Sequence, residues 1–210
     1  MFLILPLLLA IVCVPFLGGD LRRLAGIRFR GVWFLAASLG TQVWLIARPG
    51  PKTALLTAVE LAAYPLGVAF LLMNRRIPGV RLIAAGALLN FVAIAANGGI
   101  MPASAGAVAF AGLPADYGNI YANSAPLVHP HLLLLGDIFA IPSFVPFAHA
   151  FSLGDILIGI GGVLTILRTT LPERGAAPSA AALPEEPDQP VGAQASDAAE
   201  DEASSPAGRP

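Results

Sequence analysis

Two aspartates have the types and spacing that hydrolytic chemistry requires. Asp137 and Asp155 each follow a glycine and stand 18 positions apart. Two carboxyl groups with different pKa values can divide hydrolysis between them, because one activates water while the other donates a proton. We expect Asp155 to be ionised at a positive helix start, and Asp137 to have a raised pKa in an apolar segment. The pair is therefore the first candidate for catalytic residues.

The stretch SLGD also has a purely structural interpretation. Ser152 and Asp155 are three residues apart and fit the capping-box pattern, in which each side chain satisfies a backbone N–H of the other residue. On this interpretation the aspartate begins a helix and does no chemistry. Both interpretations stay open on the sequence alone.

A second set of polar residues lies within long apolar runs. Gln42, Glu60 and Asn90 fall on three different predicted helices, each about 9–11 Å below the same end at 1.5 Å per residue. Tyr64 shares a helical face with Glu60. Because an intramembrane carboxylate is costly and commonly functional, this layer is a candidate ligand-binding or proton-relay site. The alternative is a set of interhelical hydrogen bonds that only holds the helices together.

Three histidines are weak candidates for metal ligands. His129, His131 and His149 lie in the same segment as Asp137, and a His-x-His pair with a carboxylate can bind a divalent cation. This spacing is not diagnostic, so we expect no metal and no cofactor. The sequence contains no phosphate loop, dinucleotide fingerprint or nucleophile elbow, and nothing in it supports binding to nucleic acid.

Membrane helices are the elements that must position these residues. The chain is 56% hydrophobic and only 12% charged, with a mean hydropathy of +0.75, whereas soluble domains carry about a quarter charged residues. Five apolar runs are predicted to be long enough to cross a bilayer of roughly 30 Å at about 1.5 Å per residue. They cover residues 1–18, 31–48, 54–73, 80–97 and 152–168. The predicted fold class is an all-α integral membrane protein with about five transmembrane helices.

The connections between the runs predict an orientation. Arginines cluster after the first and third runs and after the last, whereas residues 98–151 contain no Lys or Arg. The positive-inside rule then predicts a cytoplasmic-membrane protein with its N-terminus outside and its C-terminus in the cytoplasm. The stretch HLLLLGDIFAIP, which contains Asp137, is too short to span and is predicted as an outer interfacial or re-entrant helix.

The end of the chain has a different composition. Residues 171–210 are acidic, rich in Pro and Ala, and lack aromatic residues. Such a segment cannot bury enough apolar surface to offset the entropy of ordering, so a disordered cytoplasmic tail is predicted. The predicted organisation is a transmembrane domain at 1–170 and a tail at 171–210. A partner for the tail cannot be identified from these residues.

The stretch FSLGDILIGIGG resembles the last-helix motif of the lipoprotein signal peptidases (signal peptidase II). This resemblance implies catalytic aspartates at Asp137 and Asp155. It also implies supporting roles for Ser152, where the family has Asn, and for Asn97 in NGGIMPAS, which loosely matches the family's Asn-x-Gly segment. The family's Asn-x-x-Asp-Arg motif is missing before the first aspartate.

The combination of NGGIMPAS, LVHPHLLLLGDIFAIP and FSLGDILIGIGG resembles an uncharacterised family of bacterial multi-pass membrane proteins, domain of unknown function 5317. That resemblance implies the architecture and no activity.

Three functions therefore stay open. The favoured specific hypothesis is an aspartate-dyad intramembrane hydrolase that acts at the outer face on a membrane-embedded peptide or lipid. The alternatives are a small-molecule or proton-coupled carrier and a non-catalytic scaffold or assembly protein, so the sequence does not decide whether the chain is an enzyme.

Overall fold

The structure is a computed structural model that describes residues 3–47, 53–113 and 124–172. Its α-helices in chain order are α1 Ile4–Phe16, α2 Arg22–Ala25, α3 Val32–Ala47, α4 Ala54–Met73, α5 Val80–Ala96, α6 Ala105–Phe110 and α7 Leu153–Thr170. Its strands are β1 Met101–Ala103, β2 Ser124–Pro126, β3 Asp137–Ile141 and β4 His149–Ser152. Most of the predicted tail lies outside the described residues, which end at Pro172.

Each of the five predicted apolar runs corresponds to one of the longer helices, namely α1, α3, α4, α5 and α7, and α7 extends two residues beyond its run. Helices α4 and α7, with 20 and 18 residues, are long and apolar enough to cross a membrane. Helices α1, α3 and α5 are apolar but shorter, at 10–17 residues. The described part of the chain is thus mostly helical with two candidate membrane-spanning helices, and the arrangement of five spans stays a prediction.

Helices α5 and α7 pack through small residues. A side chain at Gly86 of α5 would meet the carbonyl oxygen of Gly154 in α7, and one at Gly161 would come 2.7 Å from the Ile83 side chain. Small residues allow helix backbones to approach closely. The hydroxyl of Thr165 adds a hydrogen bond of 2.7 Å to the carbonyl oxygen of Pro78, just before α5. These contacts set the start of α7 against the middle of α5, and the second half of α7 against the start of α5.

Two asparagines anchor neighbouring loops with the same set of hydrogen bonds. The side-chain amide of Asn74, after α4, accepts a hydrogen bond from the N–H of Arg30 and donates one to the carbonyl oxygen of Arg30, each at 2.8 Å. Asn97, after α5, does the same with the N–H and carbonyl oxygen of His131, again at 2.8 Å. Each side-chain amide also donates to the backbone carbonyl oxygen four residues earlier. One amide therefore holds both backbone groups of a residue distant in the chain.

The prediction of an all-α fold is wrong, because the described residues include a four-stranded sheet with the order β2-β1-β3-β4. Strand β1 runs parallel to β2 and β3, and β4 runs antiparallel to β3. The predicted re-entrant helix around Asp137 is also wrong. A short 3-10 turn, Leu133–Leu135, is followed at Asp137 by strand β3.

The physical reason for this difference is the length of the run. Periodicity alone does not distinguish a buried strand from a buried helix when the apolar run is short. Gly136 interrupts the run, and the β-branched and aromatic residues after it, Ile138, Phe139 and Ile141, favour a strand.

Candidate active site

The register of β3 and β4 brings the two predicted catalytic aspartates to one end of α7. Asp137 is the first residue of β3 and lies opposite Ser152, the last residue of β4. Ser152 is also the N-cap of α7, and Asp155 is the third residue of that helix. One strand pairing and one helix start therefore bring the backbones of both aspartates next to the same serine.

Asp155 forms the predicted capping box with Ser152. The N–H of Asp155 donates to the Ser152 hydroxyl, and the N–H of Ser152 donates to the Asp155 carboxylate, both at 3.0 Å. Ser152 is completely buried. The predicted capping box is thereby confirmed.

Asn90 of α5 extends the capping box into a closed ring of hydrogen bonds. Its amide nitrogen donates to Oδ1 of Asp155, and its amide oxygen accepts from the hydroxyl of Ser152, both at 2.8 Å. Because Oδ1 and Oδ2 of Asp155 each accept an N–H donor and each keep a second lone pair, the carboxylate is oriented but still able to accept a proton. The motif therefore both begins a helix and aims Asp155.

Asp137 has surroundings of a different kind. Its side chain is buried, with 6% of its surface exposed, and its Oδ2 accepts a hydrogen bond of 2.5 Å from the Ser124 hydroxyl in β2. Burial raises the pKa of Asp137 to about 6; the Ser124 hydrogen bond opposes this rise, and the negative charge of Asp155 adds to it. The two carboxyl groups therefore influence each other electrostatically.

Asn97 has a different place from the one that the resemblance implies. Its side-chain hydrogen bonds go to backbone groups of Ala93 and His131, and neither aspartate is among these partners. Asn97 holds the loop that precedes β3. Its hydrogen bonds with His131 anchor the stretch of chain that leads to Asp137.

The predicted polar layer is divided in the structure. Asn90 belongs to the aspartate site through its two hydrogen bonds. Glu60 is buried in α4 with 2% of its surface exposed, and Tyr64, one turn later, packs its ring 5.7 Å from that of Phe91. Gln42 lies on α3, and its Nε2 has no hydrogen-bond partner among the described residues. Of the candidate ligand-binding set, only Asn90 is linked by these bonds to Asp155 and Ser152.

The three histidines do not form a metal site with the other described residues. His129 and His131 are exposed in the loop before β3, whereas His149 is half-buried in β4. Burial lowers the pKa of His149, and the negative charge of Asp155 opposes this effect. Within the described ranges, no three His, Cys, Asp or Glu side chains are grouped to hold a metal ion.

Sequence reasoning missed Ser124 and assigned Asn90 to another site. Ser124 follows a segment without a recognisable motif. It donates to Asp137 across β1, which lies between β2 and β3 in the sheet. The position of Asn90 within the apolar run 80–97 indicated a buried polar contact. It did not indicate that α7 would pack against α5, so the hydrogen bond with Asp155 could not be predicted.

Comparison with known sequences gives a family and no activity. The sequence model of a family described as "Family of unknown function (DUF5317)" matches residues 26–167, which include both aspartates. An uncharacterized protein of Thermotoga maritima is 36% identical over 94 residues, or 44% of this chain and 52% of that protein. The chain thus spans about half the length of this relative. No solved structure matches. These comparisons do not support the resemblance to signal peptidase II, which rests on the motif alone.

Proposed function

The chain belongs to the DUF5317 family, whose function is unknown, and from this premise we propose that it is an aspartate-dyad hydrolase embedded in a membrane. The observation that carries the proposal is the register of β3 and β4. It sets Asp137 opposite Ser152, while Ser152 shares the capping box with Asp155. Two carboxyl groups in different environments then lie at one helix start, which is the requirement for dividing acid and base roles.

The surface of the helices supports a membrane location. Leu5, Trp33, Val43 and Leu55, on α1, α3 and α4, each expose more than half of their side-chain surface. Large apolar side chains exposed in this way are unfavourable in water and suited to lipid. In the proposed arrangement all five long helices span the bilayer, and the sheet lies on the outer side with the N-terminus. The shorter helices are accommodated by local thinning of the bilayer and by flanking residues.

The environments of the two carboxyl groups suggest their roles. Asp155 accepts two N–H donors and acts as the base that removes a proton from water, whose oxygen bonds to the carbonyl carbon of the substrate. Asp137, with a pKa of about 6, is the acid that donates its proton to the carbonyl oxygen. When the scissile bond breaks, the leaving group takes the proton from Asp155 and the intermediate's hydroxyl returns one to Asp137. Both carboxyl groups are then restored.

The location of the site suggests the substrate class. It lies where α7 begins and where the sheet packs on the helix ends, which in the proposed orientation is the outer membrane surface. A substrate there would hold its apolar part in lipid and present an amide or ester bond to the aspartates. We therefore propose a membrane-embedded peptide or a lipid ester as substrate.

The proposal is tested with the full chain in proteoliposomes prepared in water enriched in oxygen-18. The substrates are a lipid-modified signal peptide and the phospholipids of the bilayer, and the readout is one heavy oxygen in the new carboxylate, detected by mass spectrometry. We expect Asp137→Asn and Asp155→Asn each to reduce the rate by ~100-fold or more. Asp20→Asn is the matched control, because Asp20 is an exposed carboxylate distant in the chain from the site. Full activity in both folded site variants would refute the dyad.

The carrier alternative depends on Glu60, whose burial is the observation in its favour. A buried carboxylate within a membrane helix is a suitable proton-binding group. Glu60→Gln should abolish proton-coupled uptake in liposomes if the carrier hypothesis is correct, and it should leave the oxygen-18 assay unchanged if the hydrolase proposal is correct.

A further inference from the structure

A cavity of about 390 Å³ lies where the turn between α4 and α5 meets α7. Its size falls within the range of roughly 300–1,000 Å³ that is typical of ligand pockets. Its lining divides into a charged part and an apolar part. The charged part is formed by Arg75, Arg76 and Arg81, and the apolar part includes Ile77, Pro78, Leu82 and Leu164.

The three arginines make the cavity strongly positive. Among the described residues no acidic side chain lines it, so the three guanidinium groups have no carboxylate neighbour there. Guanidinium groups bind phosphate oxygens through paired, charge-assisted hydrogen bonds. Helix α5, with 17 residues, also begins at this cavity, and its N-cap Gly79 supplies no side-chain cap. The partial positive charge of that helix start adds to the attraction for an anion.

The apolar part of the lining distinguishes between sources of phosphate. Inorganic phosphate would contact the arginines and leave the aliphatic side chains against water. A phospholipid would place its phosphate on the guanidinium groups and the beginning of its acyl chains on Leu82 and Leu164. Basic pockets between membrane helices at the cytoplasmic side are suited to anionic lipid headgroups.

We propose that this cavity is a binding site for the phosphate headgroup of an anionic phospholipid in the cytoplasmic leaflet. The proposal rests on the membrane location given above and is independent of any hydrolytic activity. The bound lipid would hold the α4–α5 turn against α7, at the opposite end of α7 from the two aspartates.

The test measures lipid binding to the purified full chain in detergent by native mass spectrometry. The probes are phosphatidylglycerol, phosphatidylcholine and inorganic phosphate. The cavity variant combines Arg75→Gln, Arg76→Gln and Arg81→Gln. The matched control combines Arg22→Gln, Arg28→Gln and Arg30→Gln, which removes the same charge from arginines outside the cavity lining.

We expect the wild-type chain to bind phosphatidylglycerol ~10-fold more tightly than phosphatidylcholine, because the three guanidinium groups would contact the anionic headgroup. The cavity variant should lose this preference and the control variant should keep it. Equal loss in both variants would overturn the proposal, since the effect would then be one of general surface charge. Arginine-dependent binding of inorganic phosphate, without a preference for phosphatidylglycerol, would overturn the lipid as the ligand. If the triple variant does not fold, Arg81→Gln alone should reduce the preference, and an unchanged preference in that variant would contradict the site.

Discussion

Replacing Asp137 by Asn should make the protein more stable at neutral pH. Asp137 is buried, and burial raises its pKa to about 6 from an ordinary value of 3.8. Above pH 6 the folded protein therefore carries a buried negative charge that the unfolded chain would leave in water. Asparagine has nearly the same shape and no charge, and its oxygen can still accept the hydrogen bond from Ser124.

The size of the effect follows from the pKa of Asp137. One pKa unit corresponds to ~1.4 kcal/mol, so a rise from 3.8 to about 6 corresponds to about 3 kcal/mol. Because the folded-state pKa is raised, the stabilising contribution of the protonated group is fully present below pH 3.8 and is lost as the pH rises through about 6. The Asn variant should therefore gain about 3 kcal/mol relative to wild type at pH 7.5 and less than about 1 kcal/mol at pH 4.

The assay is equilibrium unfolding of the full chain in mild detergent, followed at pH 4 and at pH 7.5. Asp20→Asn is the control, because it makes the same substitution at an exposed carboxylate that accepts the N–H of Arg22. A gain of equal size at both pH values would refute the reasoning, as would a loss of stability in the Asn variant at pH 7.5. A confirmed gain would mean that the wild-type chain keeps a destabilising charge at this position, as functional sites often do.

Three further predictions concern the neighbours of the two aspartates. Asn90→Ala should lower the free energy of unfolding by ~1–3 kcal/mol, since a hydroxyl and a carboxylate oxygen lose their amide partner; unchanged stability would contradict the ring of hydrogen bonds. Ser124→Ala should raise the pKa of Asp137 further, because the hydrogen bond from Ser124 lowers this pKa in the wild-type chain. The pH range over which stability is lost should therefore move to higher pH, and a move to lower pH would be inconsistent with this role. Gly86→Ala should destabilise the protein by more than ~1 kcal/mol, because the new methyl group would meet the backbone of α7. Gly40→Ala is the control and should cause no loss of stability, because its methyl group would have no atom within 4 Å. Equal effects of the two substitutions in thermal unfolding would refute the close packing.

The helices could be predicted because their signal is long and local. Each of the predicted runs 54–73 and 152–168 differs by at most two residues at either end from the helix found there. Composition alone identifies such runs, and Ser152 with Asp155 specifies the start of α7 through capping chemistry. Long apolar segments bounded by caps leave few alternative structures.

The sheet could not be predicted, because its strands are only three to five residues long and its central strand β1 pairs with two strands far along the chain. Which strands become neighbours is decided by loop closure and tertiary packing, and neither leaves a local pattern. The contact of Ser124 with Asp137 depends on that pairing. The two aspartates themselves were predicted as a pair, but the hydrogen bonds of Asn90 with Asp155 and Ser152 required knowledge of which helices pack together.

The two asparagine anchors have a consequence for how the sequence can vary. Asn74 and Asn97 recognise only the main chain of Arg30 and His131, so the side chains at the two anchored positions can change without loss of the hydrogen bonds, except to proline, which lacks the N–H. The asparagines have no such freedom, because aspartate lacks the N–H donors and glutamine is longer by one methylene group. In mutational scans we therefore expect Asn74 and Asn97 to tolerate no substitution, whereas Arg30 and His131 should tolerate most. The loops that carry Arg30 and His131 could then change their surface side chains while their attachment to the helices stays fixed.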